Sequence, residues 1–245
     1  MSDQTPTPAH SSSPPSPPSI HVTAYAYGDI RSAVLTSWID LAARFASDPK
    51  LRGQLRIIRE DALISRSRCR ATTFFLQSEL DVWVQIDHDI QFAMDDVVQA
   101  ATLAHQLQAV VQIPYSCRSL PPRPAHRPKP GAKPIPDHTN LTPVTFFASG
   151  CLAIPRKALV DAIERLSDPI VPEPFRIQHV RDDMVGSMPT LWMPFALGSD
   201  SGLEYLSEDY AASARLSLCD VPQYVMQPKI PLQHWGDFNY TLGNG

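Results

Sequence analysis

The sequence predicts an α/β protein with a mostly parallel central sheet and helices on both faces. Two observations carry this. Over residues 20–113, segments with strand-like alternation trade places with segments whose apolar residues recur at helical spacing. One of the strand-like segments, Leu80 to Ile86, is almost continuously apolar, as a strand buried on both faces must be. Strands alternating with helices of this length indicate right-handed crossovers between parallel strands.

The elements follow in order. Ile20 to Tyr27 (IHVTAYAY) is β-branched and aromatic, and Gly28 and Asp29 end it. Ala33 to Ala46 places Leu35, Trp38, Ile39, Ala42 and Phe45 at helical spacing. Leu55 to Arg59 is a short second strand. Asp61 is placed to cap a helix over 62–78. The third strand, Leu80 to Ile86, runs into Asp87-His88-Asp89. Asp95 and Asp96 open a helix ending near Leu107, and Ala109 to Ile113 is the fourth strand. Thr145 to Ile154 reads as strand structure around Ser149-Gly150, and Arg156 to Arg165 as a helix entered through Pro155. Residues 167–200 read as irregular, Glu204 to Leu216 as a helix, and Tyr224 to Tyr240 as a C-terminal part containing His234-Trp235-Gly236.

Composition bounds the function. Of 245 residues, 25 are proline, about twice the usual share of roughly 5%. Six lie in residues 1–19 and eight in residues 118–143, leaving eleven for the other 200. Residues 1–19 read as a disordered Pro/Ser-rich tail. Residues 20–245 read as one domain, with 20–117 a first half, 118–143 a Pro-rich loop and 144–245 a second half. The loop carries Arg118, Arg123, Arg127, Lys129 and Lys133 against Asp137 alone, so it is locally basic. Net charge is −4, which argues against a body that binds nucleic acid over its whole surface. Cys69, Cys117, Cys151 and Cys219 stand far apart, which fits reduced thiols in a cytoplasmic protein. No stretch is apolar enough for a membrane span, and no secretory signal is expected.

The feature that points to chemistry is the Asp-x-Asp at the end of a central strand. Ligands of open parallel sheets bind outside the carboxyl ends of the strands. Two carboxylates there suit a hard divalent cation that also holds a diphosphate. Around it stand Ser65-Arg66-Ser67-Arg68, Phe74-Phe75-Leu76 and Asp81. Later in the chain come Ser149-Gly150-Cys151-Leu152, Ser207-Glu208-Asp209-Tyr210, and His234 with Gly236. This set, in this order over roughly residues 20–240, resembles the GT-A fold glycosyltransferases that use nucleotide sugars, in particular family-2-like enzymes.

The resemblance implies a Rossmann-like GT-A domain and a metal-dependent transferase, with the first half, 20–117, binding the nucleotide sugar and the second, 144–245, the acceptor. Such an enzyme moves a sugar from a nucleoside-diphosphate sugar, UDP- or GDP-linked, to a hydroxyl of a glycan or other acceptor. It implies Mn²⁺ or Mg²⁺ held by Asp89 and His234, with Asp87 at the metal through water or at the ribose. It implies Asp209 as general base, with Glu208 orienting or substituting for it. Arg66 and Arg68 would face the diphosphate, and Tyr25 and Tyr27 the base. Glu60 or Asp61 would serve the base pocket, and the basic loop would close over the donor. Cys69 stands where the family often has Asn, which leaves the donor open. Alternatives remain: a phage-type enzyme glycosylating a modified base in DNA, a non-catalytic nucleotide-sugar or carbohydrate-binding module, and a metal-dependent nucleotidyltransferase.

Overall fold

The structure, a computed structural model, describes residues 17–26, 28–59, 61–199, 202–236 and 239–241. Tyr27, Glu60, Asp237 and residues 1–16 of the expected tail lie outside them.

Among the described residues, eight strands form the central sheet in the order β2-β1-β3-β8-β5-β13-β7-β6. They are β1 (Ile20–Ala26), β2 (Gly53–Arg59), β3 (Val82–Asp87), β5 (Val110–Gln112), β6 (Arg127–Pro128), β7 (Leu141–Phe146), β8 (Cys151–Pro155) and β13 (Gln223–Met226). β1 runs parallel to β2 and β3, and β5 to β13. β8 runs against both β3 and β5, and β7 against both β13 and β6. β8 and β7 are therefore the two strands of eight that point the other way. The α/β class and the helices on both faces are as expected. The insertion of β8 between β3 and β5 was not in the sequence reading.

The faces separate cleanly by strand periodicity. Ile20, Val22 and Ala24 of β1 and Val82, Val84 and Ile86 of β3 pack with Val34, Trp38 and Leu41 of α1 (Ser32–Ser47). Val97, Ala100 and Ala104 of α3 (Met94–Leu107) join them. On the other face, Tyr25 and Trp83 pack with Cys69 and Phe75 of α2 (Ile64–Ser78). Leu159 of α4 (Arg156–Leu166) and Ala212 and Leu216 of α5 (Glu208–Leu218) complete that side. Each large apolar side chain sealed there contributes on the order of 2–3 kcal/mol.

Some local expectations change. Asp61 accepts the backbone N–H of Leu63 at 3.1 Å but does not cap α2, whose first residue is Ile64. Residues 167–200 contain β9 (His179–Asp182) paired with β10 (Gly186–Pro189), and β11 (Phe195–Ser199). The helix expected from Glu204 begins later. β12 (Gly202–Leu206) pairs antiparallel with β11, its Leu203 and Tyr205 exposed and Leu206 buried, and α5 starts after Ser207. Glu208 and Asp209 thus occupy the first turn of a helix, where its dipole favours negative charge.

The segment between β8 and α5 has a specific anchor. Arg215 is 4% exposed, and its guanidinium donates to the carbonyls of Phe175, Leu191, Met193 and Pro174 at 2.7–3.2 Å. At the start of the chain, Ser19 gives both its N–H and its hydroxyl to Asp81 Oδ2, at 2.8 and 2.6 Å. Three short strands complete the elements near the site: β4 (Ile90–Gln91) pairs with β14 (Gln233–Trp235), which pairs with β15 (Asn239–Thr241).

Candidate functional site

Because β1, β2, β3 and β5 run the same way, their carboxyl ends share one edge of the sheet, and antiparallel β8 starts there. This gathers Asp87 and Asp89, the Tyr115–Arg118 stretch after β5, and Ser149-Gly150 before β8. It is the edge where open α/β sheets bind ligands.

Strand alternation puts Trp83, Gln85 and Asp87 on the face covered by α2, and Arg68 of α2 lies against them. Arg68 is 2% exposed. Its Nη2 is 3.1 Å from Asp87 Oδ1, and its Nη1 donates to Gln85 Oε1 at 3.2 Å and to the Ser149 carbonyl at 3.3 Å. Tyr25 Oη donates to the same Gln85 oxygen at 2.7 Å, and the guanidinium sits 4.8 Å from the Tyr25 ring centroid. Burial opposes the charge on Arg68, but Asp87, Tyr25, Asp209 and Glu208 prevail and raise its pKa. Arg68 stays a cation that fixes Asp87.

Asp89 sits differently. Arg118 of the Pro-rich loop forms an ion pair with its Oδ2. Oδ1 is buried and accepts no hydrogen bond among the described residues. His234 Nε2 lies 3.6 Å from Oδ1. The other ring nitrogen, Nδ1, is 2.7 Å from the Ser116 carbonyl, which can only accept, so Nδ1 carries the proton. Burial, with help from Arg118, lowers the His234 pKa against the pull of Ser116 and Asp87, which favours the neutral ring. A neutral His234 then aims the lone pair of Nε2 at an unpartnered carboxylate oxygen. The β4–β14 pairing keeps the two in place, with Trp235 N–H donating to the Asp89 carbonyl at 2.8 Å. Among the described residues, no group of three or more His, Cys, Asp or Glu is arranged to hold a metal.

Gly150 ties these parts together. Its carbonyl accepts from Asp87 N–H at 2.8 Å and its N–H donates to Tyr115 Oη at 3.0 Å. A Cβ at this position would lie 2.5 Å from Tyr115 Cζ and 2.8 Å from Ile90 Cδ1, so only glycine fits. Tyr115 packs edge-on against His234, with centroids 5.4 Å apart. Its pKa is raised, first by burial and then by Asp87 and Asp209.

Glu208 and Asp209 act on this centre electrostatically: both raise the pKa of Arg68. Ser207 Oγ donates to Asp209 Oδ1 at 3.0 Å. Burial and the charge of Asp209 raise the pKa of Glu208, while Arg68 opposes them.

Two clefts meet at His88 and Asp89. The first, about 200 Å³, is lined by Tyr25, Ile58, Asp61, Ser67 and Asp87 among others. The second, about 460 Å³, adds Asp29, Arg31, Arg118, Trp235 and Gly236. Arg66, expected with Arg68 at the diphosphate, is bound to Asp61 at 2.7 Å. Asp61 also takes Arg70 at 2.9 Å, and Arg70 reaches Asp182 at 2.8 Å. The Asp61 carboxyl, expected as one option for the base pocket, is thus fully engaged. In the loop, Arg127 pairs with Glu204 at 2.7 Å and covers the rings of Phe146 and Tyr210. Of the loop's cations, Arg118 is the one at Asp89.

Sequence reasoning missed Gln85, Tyr115 and the Ser149 carbonyl. A glutamine inside an otherwise apolar strand was the one available signal for the first. The other two are joined to the site only by long-range contacts.

No protein-family model matches the sequence, and no curated protein matches it. Solved structures do. The chain is similar to A197 from STIV at 13% identity, covering 93% of this chain and 95% of that one, with a TM-score of 0.52. This is a likeness of fold. Matches also include GalNAc-T7, crystallised with UDP, GalNAc and Mn²⁺, at 8% identity over 85% of this chain and 42% of that one, with a TM-score of 0.45. A glycosyltransferase involved in glycosylation of the major capsid of PBCV-1 matches at 11% identity over 63% and 68%, with a TM-score of 0.32. Among the described residues no helix is long and apolar enough to cross a membrane.

Proposed function

We propose that this chain is a metal-dependent glycosyltransferase of GT-A type, moving a sugar from a nucleoside-diphosphate sugar to an acceptor hydroxyl. The observation that carries the reading is the facing pair of lone-pair donors, unpartnered Asp89 Oδ1 and His234 Nε2, where two clefts meet at the carboxyl edge of the sheet. Such a pair suits a divalent cation, and its imidazole member favours Mn²⁺ over Mg²⁺. When bound, the cation neutralises the charge that gathers on the leaving diphosphate.

The protein's own residues divide the remaining work. The first cleft takes the nucleotide beside Tyr25; Tyr27, outside the described residues, keeps its reading as a second base-binding ring. Asp87, held by Arg68, faces the ribose or a metal-bound water. Asp209, hydrogen-bonded by Ser207, accepts the acceptor's hydroxyl proton as the oxygen attacks the anomeric carbon. The bond from that carbon to the diphosphate oxygen breaks, and the nucleoside diphosphate leaves with the bonding pair. Glu208, with its raised pKa, lies beside Asp209 as a ready proton holder.

The test is release of nucleoside diphosphate from UDP- and GDP-sugars with and without Mn²⁺. Wild type should require the cation, and Asp89→Ala should lose release by at least a hundredfold. Near-wild-type turnover in that variant sinks the metal assignment. Release of pyrophosphate in place of nucleoside diphosphate would move the enzyme to nucleotidyl transfer.

A further inference from the structure

Arg118 and a divalent cation cannot both neutralise Asp89 in the same way. In this structure the guanidinium of Arg118 holds Oδ2, while Oδ1 faces His234 without a partner. We propose that Arg118 is a placeholder. It balances the charge of Asp89 in the free protein, then gives up the carboxylate to the cation and turns to the donor's diphosphate. This rests on the reading just given.

Four observations support it. The pair is not a sealed structural one, because the Arg118 side chain is 47% exposed, and exposed pairs are cheap to open. The backbone beneath it is held: Cys117 N–H donates to the Arg123 carbonyl at 2.7 Å, and Ala125 N–H to the Tyr115 carbonyl at 3.0 Å. The side chain can therefore swing without the loop coming apart. The carbonyl that orients His234 belongs to Ser116, so one short stretch supplies both the orienting group for one ligand and the counter-ion of the other. Finally, Arg118 lines the second cleft beside Arg31, and that cleft joins the first at His88 and Asp89.

The charge balance explains why an arginine suits the position. An unpaired carboxylate near His234 and Asp87 would be costly. One positive charge suffices before the donor arrives. When the cation takes Asp89, the charge of Arg118 is released as the negative diphosphate appears. A guanidinium can grip two phosphate oxygens at once. Cation and nucleotide would then bind with positive coupling, since each favours the swung-out arginine.

The experiment is Mn²⁺ binding, followed by the electron paramagnetic resonance signal of the free ion, alone and with UDP or GDP. Wild type, Arg118→Met, Arg118→Lys and Asp89→Asn are compared. Arg118→Met should bind Mn²⁺ alone about fivefold more tightly than wild type, the worth of an exposed pair, and should lose most of the tightening that the nucleotide gives. Arg118→Lys should keep the wild-type affinity for Mn²⁺ alone but only part of the nucleotide effect, since an ammonium cannot grip two phosphate oxygens at once. If Asp89→Asn abolishes Mn²⁺ binding while Arg118→Met binds no more tightly than wild type, the placeholder role is overturned and the metal site stands. If wild type binds no Mn²⁺ with or without nucleotide, the metal reading falls and the proposal with it. Tighter Mn²⁺ binding with the nucleotide effect intact would overturn the transfer to the diphosphate.

Discussion

Arg68 Nη2 lies 3.1 Å from Asp87 Oδ1, joining a helix side chain almost sealed from water to a carboxylate that is 25% exposed at the sheet edge. The arrangement makes the first residue of the Asp-x-Asp a fixed group and leaves the second, Asp89, to exchange partners. Replacing Arg68 with Met should therefore cost more than one ion pair, because the Gln85 and Ser149 oxygens lose a donor too. Urea denaturation should show a loss of about 2–3 kcal/mol. Arg68→Lys should recover only part of it, since an ammonium cannot reproduce the fork. A loss below about 0.5 kcal/mol for the Met variant would mean that Asp87 is not anchored in this way.

Gly150 admits no side chain, and the residue it would strike packs on His234. Gly150→Ala should push Tyr115 into the His234 ring, costing about 1–3 kcal/mol in stability and weakening Mn²⁺ binding about tenfold. Adding Tyr115→Ala should relieve the clash and restore part of the stability. Unchanged melting and metal affinity in the single variant would show that the glycine serves neither the packing nor the ligand.

Glu208 has a folded pKa raised by burial and by Asp209. A carboxyl whose pKa rises on folding favours the folded state at low pH, and that contribution is lost as pH rises through the folded pKa. Glu208→Gln should thus gain stability relative to wild type at pH 8 and show less gain at pH 4. Asp209→Asn should remove part of the same strain while abolishing transfer and keeping donor binding. Denaturation curves at the two pH values and a donor titration check both. A pH-independent difference for Glu208→Gln would place that carboxyl in an ordinary solvated environment.

Much of the site's first half was legible because it depends on local periodicity. The strands from Ile20 and Val82, and the helices between and after them, follow from alternation and helical spacing, and those patterns put Asp87 and Asp89 at a strand end. What failed depends on distant partners. Thr145 to Ile154 reads as strand structure around Ser149-Gly150, but nothing local says that Cys151–Pro155 runs antiparallel between β3 and β5. Residues 204–206 hold apolar spacing compatible with either a helix or a strand, and pairing with Phe195–Ser199 decides for strand. Arg66 and Arg68 look alike in sequence. A two-residue offset on the helix sends one to Asp61 and the other to Asp87.

Arg215 shows the same dependence on long-range contacts in energetic form. Burial pushes its pKa down to about 10, yet it remains charged at neutral pH and serves four carbonyls. Arg215→Met would leave those oxygens without a donor in a region shielded from water. The expected loss is about 3 kcal/mol. Amide exchange should quicken over residues 174–193 before it does in β1 or β3. Uniform quickening, or none, would show that the segment does not rely on this anchor.

His21 carries the clearest pH signature in the fold. It is fully buried on β1 against Phe75, ring centroids 5.9 Å apart. Burial first, then the charges of Arg56 and Arg156, lower its pKa from 6.5 to about 4. The unfolded chain therefore takes up a proton near pH 6.5 that the folded chain refuses until about pH 4. The stability at neutral pH is lost as pH falls through that window, by about 3 kcal/mol for a shift of this size. The aspartates that also weaken the fold in acid are shared by wild type and variant, so they cancel in a comparison with His21→Met. The difference in unfolding free energy between the two should grow in favour of His21→Met by about 3 kcal/mol from pH 7 to pH 4. Parallel stability curves over that range would mean that His21 titrates alike in the folded and unfolded chains, and that its burial carries no linkage to pH.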